Sequence, residues 1–199
     1  MNADRRREEL VSDFVAAWEK LDGCRTSENL DPLVAQFAVG ADSSTDGLRW
    51  RAICHSTDAS ELERLYAKLP ARFPPLFEKL LLSYRWPEVD LRLYRIHGNP
   101  LGAGLTGFLG RILKDQFLSS FALKNGYIPF GKGTDVDYDP VCFDLKARKK
   151  NREFEIVKLD HEEILCNERI KVVAKLAPSF EQLVVETIEC AAKVPTTEG

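Results

Sequence analysis

Between Tyr127 and Ala174 the chain reads YIPF (127–130), VCFDL (141–145), FEIVKL (154–159) and IKVVA (170–174), four short runs of branched and aromatic residues divided by polar segments. Runs of that length and composition are strand signals, and their turn-length separations predict an antiparallel sheet. The period changes on either side. Upstream, Leu105, Phe108, Leu109, Ile112, Leu113, Phe117 and Phe121 recur at steps of three and four, which predicts one helix over 105–123 with Asn125-Gly126 as its stop. Downstream, Ser179 and Gln182 have capping-box spacing, and Phe180, Leu183, Val184 and Ile188 share a helical face. Helices before and after a block of strands predict an α+β fold, an antiparallel sheet flanked by helices.

Further upstream, Val89, Leu91, Leu93 and Ile96 suggest one more strand, with Asp90, Arg92 and Arg95 on its other face. Pro74-Pro75 can start a helix carrying Leu76, Phe77, Leu80, Leu81 and Tyr84, which Pro87 ends. Ser56-Thr57-Asp58 offers caps for another helix with Leu62, Leu65, Tyr66 and Leu69, and residues 48–53 read as extended. Near the start, Leu10, Val11, Phe14, Val15, Trp18 and Leu21 predict an amphipathic helix over 5–21. A second helix is predicted over 31–39, capped by Asp31, and the small polar run 40–47 reads as a linker. The expected organisation is an N-terminal helical extension, residues 1–47, followed by one domain, residues 48–199.

The 199 residues are 44% hydrophobic and 30% charged, enough apolar material for a single core of ordinary size. A net charge of -3 and a pI near 5.7 supply no general basic field, so direct nucleic-acid binding is not expected. The N-terminus runs straight into Arg5-Arg6-Arg7-Glu8-Glu9, without the apolar stretch of an export signal. No run approaches the roughly 20 apolar residues that span a bilayer. Cytoplasmic localisation without a membrane partner is the expectation. The five cysteines are widely spaced and contain no CxxC pair, so they read as reduced, mostly buried thiols.

Four local motifs bear on chemistry. Gly102-Ala103-Gly104-Leu105-Thr106-Gly107 matches GxGxxG, but no acidic strand end comes after it where a dinucleotide site needs one, and the glycines read as a loop and helix start. Asp135-Val136-Asp137-Tyr138-Asp139 alternates carboxylates as calcium or magnesium loops do; Pro140 stands where the loop glycine belongs, and a solvated acidic turn is the other reading. Asp160-His161-Glu162-Glu163 combines a possible general base with carboxylates, or caps a turn between two strands. No GxSxG turn or HExxH helix accompanies it. The basic run Lys146-Ala147-Arg148-Lys149-Lys150-Asn151-Arg152 falls at a predicted hairpin tip and lacks interleaved aromatics for base stacking.

Four segments together resemble the SUKH superfamily, the Smi/Knr-type proteins that include a cell-wall regulator and bacterial toxin-immunity proteins. They are the Leu69-Pro70 to Tyr84 region, similar to the family's LPxxFxxLLxxY helix; Gly126-Tyr127-Ile128-Pro129-Phe130-Gly131; Asp139-Pro140-Val141-Cys142-Phe143-Asp144; and Ala177-Pro178-Ser179-Phe180-Glu181-Gln182-Leu183. The resemblance covers roughly three quarters of the chain. It implies a single α+β domain that binds proteins, with no catalytic residues, cofactor or metal. The expected function is immunity, an acidic face formed by Asp135, Asp137, Tyr138, Asp139, Asp144, Glu162 and Glu163 meeting a basic toxin such as a nuclease. A regulatory or scaffold module is the second expectation, and a metal-dependent enzyme using Asp135, Asp137, Asp139 and His161 the third.

Overall fold

The computed structural model describes residues 2–21, 24–26, 37–41, 47–102, 104–134 and 138–194. Helix α1 (Ala3–Leu21) turns Val11, Phe14, Val15, Ala17 and Trp18 inward, the face that the sequence spacing predicts. Next come three short strands, β1 (Cys24–Thr26), β2 (Ala38–Ala41) and β3 (Gly47–Trp50), paired antiparallel in the order β1-β3-β2. Two expectations are corrected here. Ala38 and Val39 belong to a strand rather than to a helix over 31–39, and Gly40, Ala41 and Gly47 belong to a sheet rather than to a linker. Residues 31–36 and 42–46 lie outside the described residues. The physical reason is backbone satisfaction: Ala38 stands opposite Trp50 and Ala41 opposite Leu48, a ladder no local propensity announces.

Strand β4 (Ile53–Cys54) pairs with β5 (Tyr84–Arg85). Between them lie α2 (Ser60–Tyr66), preceded by Asp58, whose Oδ1 accepts from the Ser60 N–H, and α3 (Pro75–Ser83), with proline in the first turn where a missing N–H costs nothing. The guanidinium of the buried Arg85 donates to the Leu81 and Tyr84 carbonyls and to Thr57 Oγ1, fastening this strand pair to α3.

The main sheet has six antiparallel strands in the order β11-β10-β9-β8-β7-β6: β6 (Val89–Asp90), β7 (Arg95–Ile96), β8 (Tyr127–Lys132), β9 (Pro140–Arg148), β10 (Phe154–Leu159) and β11 (Val172–Ala177). The α+β architecture with a helix-flanked antiparallel sheet is therefore as predicted. Three local expectations differ. The strand predicted across Val89 to Ile96 folds back as the β6-β7 hairpin, because Arg92 takes a positive φ of 71° while Asp90 accepts from the Arg92 N–H and the Arg95 Nε. The single helix over 105–123 is two, α4 (Gly104–Ile112) and α5 (Gln116–Lys124), split where the Asp115 side chain caps the Leu118 N–H. Both pack on β8, which is why one apolar period runs through the break. Finally, Asp160 to Glu163 opens a helix, α6 (His161–Asn167), rather than a turn, with Asp160 accepting from the Glu163 N–H.

The closing helix α7 (Phe180–Ala192) starts as predicted, with Ser179 Oγ accepting from the Gln182 N–H. Its Phe180 lies 5.0 Å from Phe77 of α3 and 6.0 Å from Phe14 of α1, ring centre to ring centre. Trp18 of α1 lies 5.4 Å from Trp86. The first helix thus belongs to the same core as α3, α7 and the sheet. Alternation along the central strands fills both faces. Ile128, Phe130, Val141, Phe143 and Ile156 join that core, while Tyr127, Cys142 and Val157 meet Leu118, Ala122 and Ile164 from α5 and α6.

The basic run is a hairpin tip as predicted, but Arg152 folds back and donates to both Glu78 carboxylate oxygens, at 2.9 and 3.0 Å. Glu78 also accepts from the Tyr66 hydroxyl at 2.7 Å, and burial together with that acceptor pushes Tyr66 ionisation up. The cysteine expectation is corrected: Cys142 is buried, but Cys54, Cys166 and Cys190 are exposed. Among the described residues, no helix is long and apolar enough to cross a membrane.

Candidate functional site

The corner between α4 and α5 opens a cleft of about 610 Å³ against the loop before β9 and the start of α6. Asp115 makes the corner by ending one helix run and capping the next. It leaves Ile112 and Leu118 on the cleft floor with Arg111 and Lys114 beside them. Pro129 of β8 and Pro140 of β9 add to the apolar part of the lining.

On one side stands His97. Its backbone N–H donates to the Phe130 carbonyl at 3.0 Å, and its own carbonyl accepts from Trp86 Nε1 at 3.0 Å, so the residue is anchored from both the neighbouring strand and the core. Neighbouring strands approach closely because position 131 is glycine: a Cβ there would lie 2.1 Å from the Arg95 carbonyl oxygen. His97 Nδ1 is 3.9 Å from Glu88 Oε2, and Lys132 Nζ is 3.0 Å from Glu88 Oε1. Burial acts to raise the Glu88 carboxyl, but His97 and Lys132 outweigh it and hold the group down to about 2.

Opposite stands His161, the first residue of α6. Asp139 Oδ1 accepts from its backbone N–H at 2.9 Å and lies 2.7 Å from ring Nδ1, while Lys158 Nζ is 3.9 Å from Asp139 Oδ2. Tyr138 projects beside this pair, 64% exposed, its ring 6.1 Å from the imidazole and edge-on. Leu165 of α6, 46% exposed, also lines the cleft. Each histidine therefore has a carboxylate on its Nδ1 side, and at His161 the 2.7 Å contact orients the ring. Ser119, the hydroxyl nearest the floor, is buried and donates to the Ile112 carbonyl, so it is not placed as a nucleophile.

Of the residues expected to form an acidic face, the described ones lie in different surroundings. Asp135 and Asp137 lie outside the described residues. Asp139 is bound to His161, and Glu163 turns to Arg169 at 3.0 Å and Asn167 at 3.1 Å. Asp144 is largely buried in β9 opposite Tyr127, its Oδ1 accepting from the Lys146 N–H, and is not part of an open surface. Inward alternation in a strand covered on both faces is the reason. Glu162 is exposed and makes no ion pair among the described residues. Glu88, His97, Arg111, Lys114 and Lys132 were not singled out as site residues from sequence, because no motif spacing connects two strand ends to a helix corner.

Gly102 and Gly104 adopt φ values of +82° and +53° in the loop leading into α4. Helix α4 is succeeded by another helix and then by an antiparallel strand, so the GxGxxG run starts a helix and not a βαβ dinucleotide unit. Among the described residues there is no group of three or more His, Cys, Asp or Glu side chains arranged to hold a metal ion. No protein-family model matches the chain, and no curated protein sequence matches it at a significant level. The arrangement is suited to binding: an apolar floor, a polar rim that carries both cations and carboxylates, and an exposed aromatic at the mouth.

Proposed function

We propose that the chain is a non-enzymatic protein-binding module of the SUKH type, an immunity protein that engages a bacterial toxin through the mouth of the cleft rather than through a continuous acidic face. The observation that carries the reading is the pair Tyr138 and Leu165, two large apolar side chains left open to solvent at one cleft. A rigid exposed aromatic next to a pocket is the residue type that anchors protein interfaces.

The SUKH resemblance gains support from where its four segments meet. They become α3, β8, β9 and the start of α7, and their phenylalanines form one cluster: Phe77 to Phe143 at 5.3 Å, Phe77 to Phe130 at 5.5 Å, Phe130 to Phe143 at 4.3 Å and Phe77 to Phe180 at 5.0 Å. Segments that are separately weak in sequence thus share one physical task, closing the core between sheet and helices.

A photo-crosslinking amino acid at position 138, introduced in the cell of origin, tests the reading. One protein should be captured at position 138 and not at the even more exposed position 93, and co-expressing the chain should relieve that protein's toxicity in a growth assay. Capture without any effect on growth would replace immunity with a regulatory role. Equal capture at 138 and 93 would sink the interface itself.

A further inference from the structure

We infer that the same cleft is a site for a small amphipathic anion, a carboxylate or phosphate carried on an apolar ring. The inference rests on the balance of charge inside the cleft and not on the protein-binding reading, so the two can fail separately.

Among the described residues, the carboxylates at this cleft already have partners within the protein. Glu88 is held between Lys132 and His97, Asp115 caps the Leu118 N–H, and Asp139 behind the lining is bound to His161. The cations are not balanced in the same way. Arg111 and Lys114 line the cleft beside its apolar floor and make no ion pair among the described residues. His97 and His161 also line the cleft, with a carboxylate oxygen 3.9 Å and 2.7 Å from their respective Nδ1 atoms. A guanidinium and an ammonium beside a half-enclosed apolar surface favour an anion, because a charge-assisted hydrogen bond is stronger where water is partly excluded. Ile112, Leu118, Pro129 and Pro140 offer the surface against which a ring can lie, and Tyr138 can cover it from the mouth. A volume of about 610 Å³ fits a small molecule of this kind. A bare inorganic anion would leave the apolar floor wet, which argues for an anion with an apolar body.

The full-length protein titrated with 2-naphthoate, and separately with the isosteric neutral 2-naphthamide, gives the test by calorimetry, with the imidazole NMR signals of His97 and His161 reporting location. Naphthoate should bind about 10-fold or more tightly than the amide, the size expected for one charge-assisted contact. It should shift both histidine signals. The double variant Arg111→Gln/Lys114→Gln, whose side chains are not in the core, should lose that preference while keeping the wild-type unfolding midpoint; Lys124→Gln, a cation outside the cleft, should leave it intact. Equal binding of naphthoate and naphthamide, undiminished naphthoate binding by the double variant, or no histidine shift at millimolar naphthoate would each overturn the inference.

Discussion

Asp139 holds His161 twice, through the backbone N–H at 2.9 Å and through ring Nδ1 at 2.7 Å, with the same carboxylate oxygen. One side chain therefore ties the loop before β9 to the first turn of α6 and sets the imidazole against the cleft. Replacing it by alanine strands two donors, so Asp139→Ala should lower stability by about 1–3 kcal/mol in urea unfolding. A wild-type midpoint would show that the contact is dispensable. A triple Asp135, Asp137 and Asp139 to Asn variant is consequently a poor probe of surface charge, since it alters this anchor together with the field. Asp135→Asn/Asp137→Asn separates them.

Glu88 connects stability to pH. Its carboxyl lies at about 2 in the folded protein against an ordinary value of 4.5, so the folded state binds this proton less readily than the unfolded chain. The stabilisation is complete above 4.5 and is lost as the pH falls toward 2. The difference in unfolding free energy between wild type and Glu88→Gln should be constant from about pH 6 to 5 and shrink steadily below about 4.5. A difference unchanged down to about pH 3 would mean that Lys132 and His97 do not hold the carboxylate in solution.

The first helix is expected to be indispensable. Phe14 is fully buried between Trp18, at 4.7 Å, and Phe180, at 6.0 Å. Phe14→Ala should cost about 3–5 kcal/mol, the usual range for deleting a buried aromatic, and removing residues 1–21 should leave no cooperative unfolding transition. If the shortened chain unfolds with the wild-type midpoint, the helix is an appendage after all.

Thiol chemistry should report burial directly. Cys142 sits in β9 with no exposed surface, and burial pushes its thiol up, so it should react with a disulfide reagent only as the protein unfolds. Cys54, Cys166 and Cys190 are exposed and should react in the native state. Cys142→Ala should therefore leave the native-state reaction unchanged and remove one equivalent from the denatured count.

Much of the secondary structure was legible because it depends on local pattern. The face of α1, the proline start of α3, the strands β8 to β10 and the Ser179 cap of α7 come from residue spacing and from side chains that satisfy backbone groups within three positions. Tertiary structure was required for every feature that depends on a distant partner or on a turn inside a continuous apolar period. Asp115 breaks one periodic run into two helices, and Arg92 folds one apparent strand into a hairpin, though the hydrophobic pattern passes through both. Ala38–Ala41 becomes a strand only because Gly47–Trp50 lies beside it. The cleft shows the same division. Tyr138 and Asp139 could be singled out from their loop, but the pairing of Asp139 with His161, of Glu88 with His97 and Lys132, and the burial of Asp144 depend on which strand ends and helix corners the closed core brings together. Sequence spacing states which way a residue turns within its own element; only packing decides what it then meets.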